Sequence, residues 1–201
     1  MSIKLILFDL GGVVFDRFNR KQFARDIQSN IPPEEFGKYL YTENYFEKFE
    51  KAPSTKEEYA EYIKDLTKSP LDISEIIYMY KKNLGNINLS SYKAFKEFKN
   101  MGIKVGILSN ISSFWASEID EVIKNLDVDY KFYSYEIGCV KPFDGIYQYV
   151  LENVPFEASE IVFLDDNLDN VNGAKRNKIK AYQVKFNNMY EVLSVIKNYT
   201  K

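Results

Sequence analysis

The stretch Ile3-Lys4-Leu5-Ile6-Leu7-Phe8-Asp9-Leu10-Gly11-Gly12-Val13-Val14 decides the fold. Up to Phe8 it lacks the polar alternation of a strand with one wet face. It therefore reads as a strand buried on both sides, as in parallel sheets. The run ends on a carboxylate, Asp9, followed by two glycines that let the backbone turn sharply. Working outward, residues 103–108 and 161–164 are apolar runs of the same kind, and 179–184 is a looser one. Phe132 and Tyr133 mark a fifth short strand. Between them lie helix-like stretches at 89–101, 114–126, 145–153 and 170–177, with a terminal helix expected over 189–199. In the first of these, Tyr92, Phe95 and Phe98 recur at a spacing of three, and Gly102 supplies a stop. Strands alternating with helices predict an α/β fold. The expected core is a Rossmann-like, doubly wound parallel sheet with ligands at the C-terminal strand ends.

The interval between the first two strands breaks this rhythm. It holds no strong strand but shows helical periodicity, pairing Phe36 with Leu40, Tyr45 and Phe46 with Phe49, and Tyr59 with Tyr62 and Ile63. Pro32, Pro33, Pro53 and Pro70 punctuate it. The expected organisation is a core formed by residues 1–15 and 90–201, with residues 16–89 inserted as a helical-bundle cap.

Composition narrows the chemistry. The 201 residues include 45% hydrophobic and 16% aromatic side chains, enough for a buried core. The net charge of −2, from 27 basic and 29 acidic residues, gives no electrostatic reason to expect nucleic acid. A single cysteine, Cys139, rules out an intrachain disulfide and fits a reducing, cytoplasmic compartment. It reads as a neutral filler, with no histidine to activate it. Neither a signal peptide nor a membrane-spanning run is expected. The chain contains no histidine, which excludes Ser-His-Asp triads, Cys-His dyads and histidine-ligated zinc. Catalysis must therefore rest on carboxylates, lysine, hydroxyls and a hard metal ion.

Four features follow predicted strands: Asp9 to Gly12, Ser109-Asn110, Lys141-Pro142, and Asp165-Asp166-Asn167. Taken singly, each has an ordinary reading as a helix cap or loop. Arriving in this order at neighbouring strand ends, they form one constellation. Three carboxylates gathered in a cleft repel unless a cation joins them, and magnesium suits carboxylate and water oxygens while leaving room for phosphate. Ser109 and Asn110 offer hydrogen bonds to phosphate oxygens, and Lys141 offers positive charge for phosphoryl transfer.

The order Asp9, Ser109, Lys141, Asp165-Asp166 resembles the four motifs of the haloacid-dehalogenase-like hydrolases. The stretches FDLGGVVFD, ILSNISSFW, EIGCVKPFDGIYQYVL and VFLDDNLDNVNGAKRNKI are similar to a sugar-phosphatase branch that includes glucose-1-phosphate phosphatase. The resemblance implies a magnesium-dependent phosphomonoesterase in which Asp9 attacks phosphorus and water then hydrolyses an aspartyl-phosphate. Magnesium would be held by Asp9, the Gly11 carbonyl and Asp166, with Asp165 bound directly or through water. Ser109, Asn110 and Lys141 would hold the phosphate. The implied partner is a small phosphorylated metabolite, without nucleic acid or membrane, and the expected state is a monomer or weak dimer.

Two positions depart from the family pattern. Most phosphatases of this kind carry a second Asp two residues after the nucleophile, which protonates the leaving group; here that position is Gly11. A leaving group that needs little protonation, such as that of a glycosyl phosphate, would suit the change, or Asp16 would substitute. The alternative is a non-catalytic, phosphate-binding relative. Dehalogenation would leave Asp165-Asp166 unexplained, and phosphomutase chemistry would need the missing acid/base. Asn170 stands where many relatives have Asp, with Asp169 or the carboxamide itself as the replacement supporting the metal site. In the cap, Tyr41, Tyr45, Phe46 and Phe49 read as bundle core, and Glu50-Lys51 as a turn within reach of a substrate hydroxyl.

Overall fold

The computed structural model describes residues 2–184 together with Tyr190, Leu193, Ser194 and Ile196. The terminal helix expected over 189–199 lies for the most part outside the described residues. Five strands form one sheet: β1 (Leu5–Phe8), β2 (Lys104–Ser109), β3 (Tyr130–Tyr133), β4 (Ile161–Asp165) and β5 (Lys180–Gln183). Their order is β3-β2-β1-β4-β5, and every neighbouring pair is parallel. The chain starts in the middle strand and winds outward to both sides, so β1 is buried throughout. This is the doubly wound arrangement expected from the apolar runs, fifth strand included.

Two apolar clusters fill the two faces of the sheet. On one, α6 (Leu89–Asn100) and α7 (Ser113–Ile123) cover Ile6, Phe8, Val105 and Ile107, with Phe8 stacked on Phe95 at 4.2 Å between ring centres. On the other, α9 (Asp144–Glu152) and α10 (Leu168–Arg176) cover Leu5, Leu7 and Phe163. Successive residues of β1 thus go to opposite clusters, as the pleat requires. β2 and β4 run one residue further than the apolar runs suggested. Ser109 and Asp165 are therefore the last residues of strands, hydrogen-bonded into the sheet and aimed by it.

Everything regular between β1 and β2 up to α6 is helical: α1 (Arg20–Asp26), α2 (Phe36–Leu40), α3 (Glu43–Tyr45) continuing into a π-helical turn (Phe46–Glu50), α4 (Lys56–Thr67) and α5 (Ile73–Lys82). Two capping boxes start the longest of these, at Thr55 with Glu58 and at Asp72 with Glu75. The insertion has its own core of Phe23, Phe36, Leu40, Tyr45, Phe49 and Tyr59 with their neighbours. Its two connections run side by side, Asp16 N donating to Asn86 O and Asn88 N to Val14 O. It also rests on α7. Ser113 Oγ bonds both the N–H and the carbonyl of Ser54, and the rings of Tyr80 and Trp115 stack at 4.0 Å.

Candidate active site

Parallel alignment brings the ends of β1, β2 and β4 to one sheet edge. Asp9 follows β1 directly, its N–H bonded to Leu164 O. Carboxylate oxygens of Asp9, Asp165 and Asp166 lie within 4.8 Å of one another. Lys141 reaches into this group from the loop before α9. Its Nζ donates to Asp9 Oδ1 at 2.7 Å, Asp165 Oδ2 at 2.7 Å and the carbonyl of Leu108 at 3.0 Å. Three acceptors for three ammonium hydrogens make this buried cation fully satisfied. Burial opposes its charge, but Asp165 and Asp9 outweigh that and hold its pKa above the ordinary lysine value.

The sequence-predicted residues take different parts. Asp165 is completely buried, and both its oxygens are engaged. Oδ1 accepts from the Asn167 N–H at 2.8 Å; Oδ2 accepts from Lys141 and from Asn170 Nδ2 at 3.0 Å. It is built as an anchor for Lys141 more than as an open metal ligand. Asn170 does support the site from behind, through its own amide. The Asp169 side chain is exposed on α10, so the carboxamide and not Asp169 fills that position.

Asn110 is tied to the lysine loop. Its side chain closes a two-way clamp on the Lys141 main chain, Oδ1 accepting from Lys141 N at 2.8 Å and Nδ2 donating to Lys141 O at 3.0 Å. That amide therefore fixes the lysine loop, and Asn110 also lines the cavity over the strand ends. Ser109 is buried, its hydroxyl 3.4 Å from the Asn110 carbonyl, a weak contact that leaves it able to turn.

Asp166 is half-buried and pairs with Arg17 Nε, a contact that sequence reasoning did not find. Nothing local announces it, because Arg17 lies 149 residues away along the chain. Burial raises the Asp166 pKa and Arg17 opposes the rise. Gly12 makes the approach possible: its φ is 81°, and a Cβ there would overlap the Asp166 carboxylate. Gly12→Ala should therefore cost about 1–3 kcal/mol in strain and push Asp166 out of place. Denaturant unfolding measures the strain, and loss of any magnesium-induced rise in melting temperature reports the displaced carboxylate.

Burial pushes the Asp9 carboxyl up to about 7, against the pull of Lys141 and with help from Asp165. The folded state thus keeps a proton that the unfolded chain releases near the ordinary Asp value of 3.8. In EDTA, the stability of wild type relative to Asp9→Asn should fall as pH rises between those values. A cation held by Asp9 must displace that proton, so magnesium should stabilise the protein more at pH 8 than at pH 5.5. Thermal melts at both pH values check both signs.

A cavity of about 590 Å³ opens over these strand ends, between the core and the helical insertion. Gly11, Ser109 and Asp166 line its floor, while Arg20, Tyr41 and Glu50 line it from the insertion. Tyr45 and Phe49 belong to the insertion's core as expected, but Tyr45 also faces this cavity, as does Tyr41. Glu50 ends the π-helical turn and is buried. Burial raises its carboxyl to about 7, with Lys141 pulling it down and Asp9 pushing it up. Asp16 also lines the cavity, half-exposed where the insertion begins. Cys139 is half-buried beside Gly145.

The family model of the haloacid dehalogenase-like hydrolases matches residues 3–177, and the chain belongs to that family. It is 25% identical over 190 residues to D-ribitol-5-phosphate phosphatase of Bacteroides thetaiotaomicron, covering 90% of this chain and 91% of that one. It is 25% identical over 177 residues to the sesquiterpene phosphatase astK of Aspergillus oryzae, covering 87% and 86%. A 25% identity over 182 residues links it to drimenol cyclase drtB of Aspergillus calidoustus, of which it spans only 32%. Among solved structures, a HAD family enzyme of Bacteroides thetaiotaomicron in complex with magnesium and inorganic phosphate superposes with a TM-score of 0.76. That match has 22% identity and covers 92% of this chain and 96% of the other. Among the described residues, no helix is long and apolar enough to cross a membrane.

Proposed function

We propose that this chain is a magnesium-dependent phosphomonoesterase acting on a small phosphorylated metabolite, with Asp9 as nucleophile. The carrying observation is the convergence of Asp9, Asp165 and Asp166 oxygens within 4.8 Å beside the buried Lys141. The donor set is all oxygen and fits a hard cation. Asp9, the Gly11 carbonyl and Asp166 would hold magnesium, with Asp165 linked through water because its own oxygens are committed. When bound, the ion supplies positive charge to the phosphate and joins the carboxylates.

Asp9 attacks phosphorus, the bond to the leaving oxygen breaks, and water later hydrolyses the aspartyl-phosphate. Lys141 keeps Asp9 oriented and offsets the charge on the phosphoryl oxygens, and the Ser109 hydroxyl donates to one of them. Asn110 contributes by fixing Lys141. The helical insertion, residues 16–89, acts as the cap, and the cavity beneath it receives the rest of the substrate.

Relatives named for a polyol phosphate and for a sesquiterpene mark two substrate classes. Charged walls at Asp16, Arg17, Arg20 and Glu50 favour a hydroxylated substrate, such as a sugar phosphate like glucose 1-phosphate, over a hydrocarbon chain. A phosphate-release screen with magnesium tests this, using α-D-glucose 1-phosphate, D-ribitol 5-phosphate and a sesquiterpenyl phosphate. Turnover of the hydroxylated esters, lost in EDTA, is the expected result. Preference for the isoprenoid ester would overturn the substrate class. No release from any ester would favour the non-catalytic phosphate-binding reading that Gly11 raises.

A further inference from the structure

Gly11 leaves the reaction without the carboxyl that handles protons in most of its relatives. The cavity contains one group with the features of a replacement. Glu50 is 8% exposed, and its Oε2 has no hydrogen-bond partner among the described residues. An unpartnered buried carboxyl oxygen is costly to keep, and most such atoms in native proteins are bonded. The Tyr45 hydroxyl acts on the Glu50 carboxyl from the cap side and favours its charged form. The turn that carries it packs on α8 (Ser134–Ile137). The next residue of the turn, Lys51, lies against Gly138, three residues before Lys141, with its carbonyl 3.9 Å from where a Gly138 Cβ would be. Glu50 thus stands on the cap side of the cavity whose floor is Gly11, Ser109 and Asp166. The charged groups acting on it are Lys141 and Asp9 from the core, with Tyr45 on the cap side. Its charge also acts on the hydroxyls of Tyr41, Tyr59 and Tyr80 of the insertion and raises them.

We infer that Glu50 is the proton-transfer residue of this enzyme, supplied by the cap in place of the absent side chain at Gly11. This rests on the phosphatase reading above. In the first step the Asp9 carboxylate forms a bond to phosphorus as the bond to the leaving oxygen breaks. The proton on Glu50 goes to that oxygen, which departs as an alcohol. In the second step the Glu50 carboxylate takes a proton from water as the water oxygen attacks phosphorus. The bond from phosphorus to Asp9 breaks, inorganic phosphate leaves, and Glu50 is protonated again. The entering water occupies the side the alcohol left, so one group on the cap serves both steps. Asp16 is half-exposed at the start of the insertion and lacks the buried, unpartnered oxygen that marks Glu50.

The test compares wild type, Glu50→Gln and the double variant Glu50→Gln/Gly11→Asp, using p-nitrophenyl phosphate and phenyl phosphate with magnesium. The first leaving group departs without a proton and the second needs one. Glu50→Gln should lower kcat for phenyl phosphate about 100-fold. With p-nitrophenyl phosphate it should release one equivalent of nitrophenol per enzyme in a burst, then turn over slowly as aspartyl-phosphate accumulates. A Cβ at Gly11 meets no atom within 4 Å, so Asp fits there and should restore phenyl phosphate turnover in the double variant. Equal loss on both esters without a burst, or wild-type rates on both, would overturn the assignment and leave Glu50 a positioning or structural residue. If wild type itself releases phosphate from neither ester, the phosphatase reading fails first and the role of Glu50 falls with it.

Discussion

Asp9→Asn is expected to abolish magnesium-dependent phosphate release, by at least about three orders of magnitude, without unfolding the protein. The amide is nearly the same size but cannot act as an anionic nucleophile, so the proposed aspartyl-phosphate never forms. Loss of activity through misfolding is separable on physical grounds. Asp9 is buried, and its carboxyl is pushed up to about 7 by that burial, so its charged form is a cost to folding at neutral pH. Removing that charge should leave the melting temperature in EDTA unchanged or raised above pH 7. Lys141 keeps Asp165 and the Leu108 carbonyl as acceptors in the variant. The measurement is steady-state phosphate release beside thermal unfolding. A variant that folds normally and still turns over within tenfold of wild type would remove Asp9 from the mechanism.

The second large effect is on stability. Lys141→Met places an apolar chain of similar length where the ammonium is buried between two carboxylates. It leaves Asp165, fully buried, facing Asp9 with no counter-charge. Breaking a buried ion pair from one side costs about 3–5 kcal/mol, against near zero for an exposed pair. For a chain of this size that is about 10 °C in melting temperature. The sign of its pH dependence follows from which groups remain. Protonating the stranded carboxylates relieves the repulsion, so the gap between variant and wild type should narrow from pH 8 to pH 5. Thermal melts across that range decide it. A gap of less than about 1 kcal/mol, independent of pH, would show that Lys141 is not the electrostatic centre of the site.

Much of this site is legible in the sequence because it depends on short-range pattern. Apolar runs ending in Asp9, Ser109 and Asp165 are strands of a buried parallel sheet, and parallel strands present their C-terminal ends on one side. The helical insertion is equally legible from its periodicity and prolines. The roles inside the site are less so. Asn110 looks like a phosphate donor in sequence, and the structure adds a second task that sequence does not show, an amide clamp on the Lys141 backbone. Asp165 and Asp166 are adjacent, yet one is saturated by Lys141, Asn167 and Asn170, while the other meets Arg17.

By itself, the sequence determined that strands alternate with helices, that carboxylates, a hydroxyl and a lysine stand at their ends, and that position 11 has no side chain. These follow from local hydrophobic period and residue identity. Only the tertiary structure decided which of those groups are held in place and which are left with an unused hydrogen-bonding atom. That depends on contacts between distant segments, Lys141 with Asp9 across 132 residues and Arg17 with Asp166 across 149. Burial is likewise a property of the helical insertion packed on the sheet. It marks Glu50, an ordinary acidic residue in sequence, as a carboxyl without a full set of partners above the strand ends.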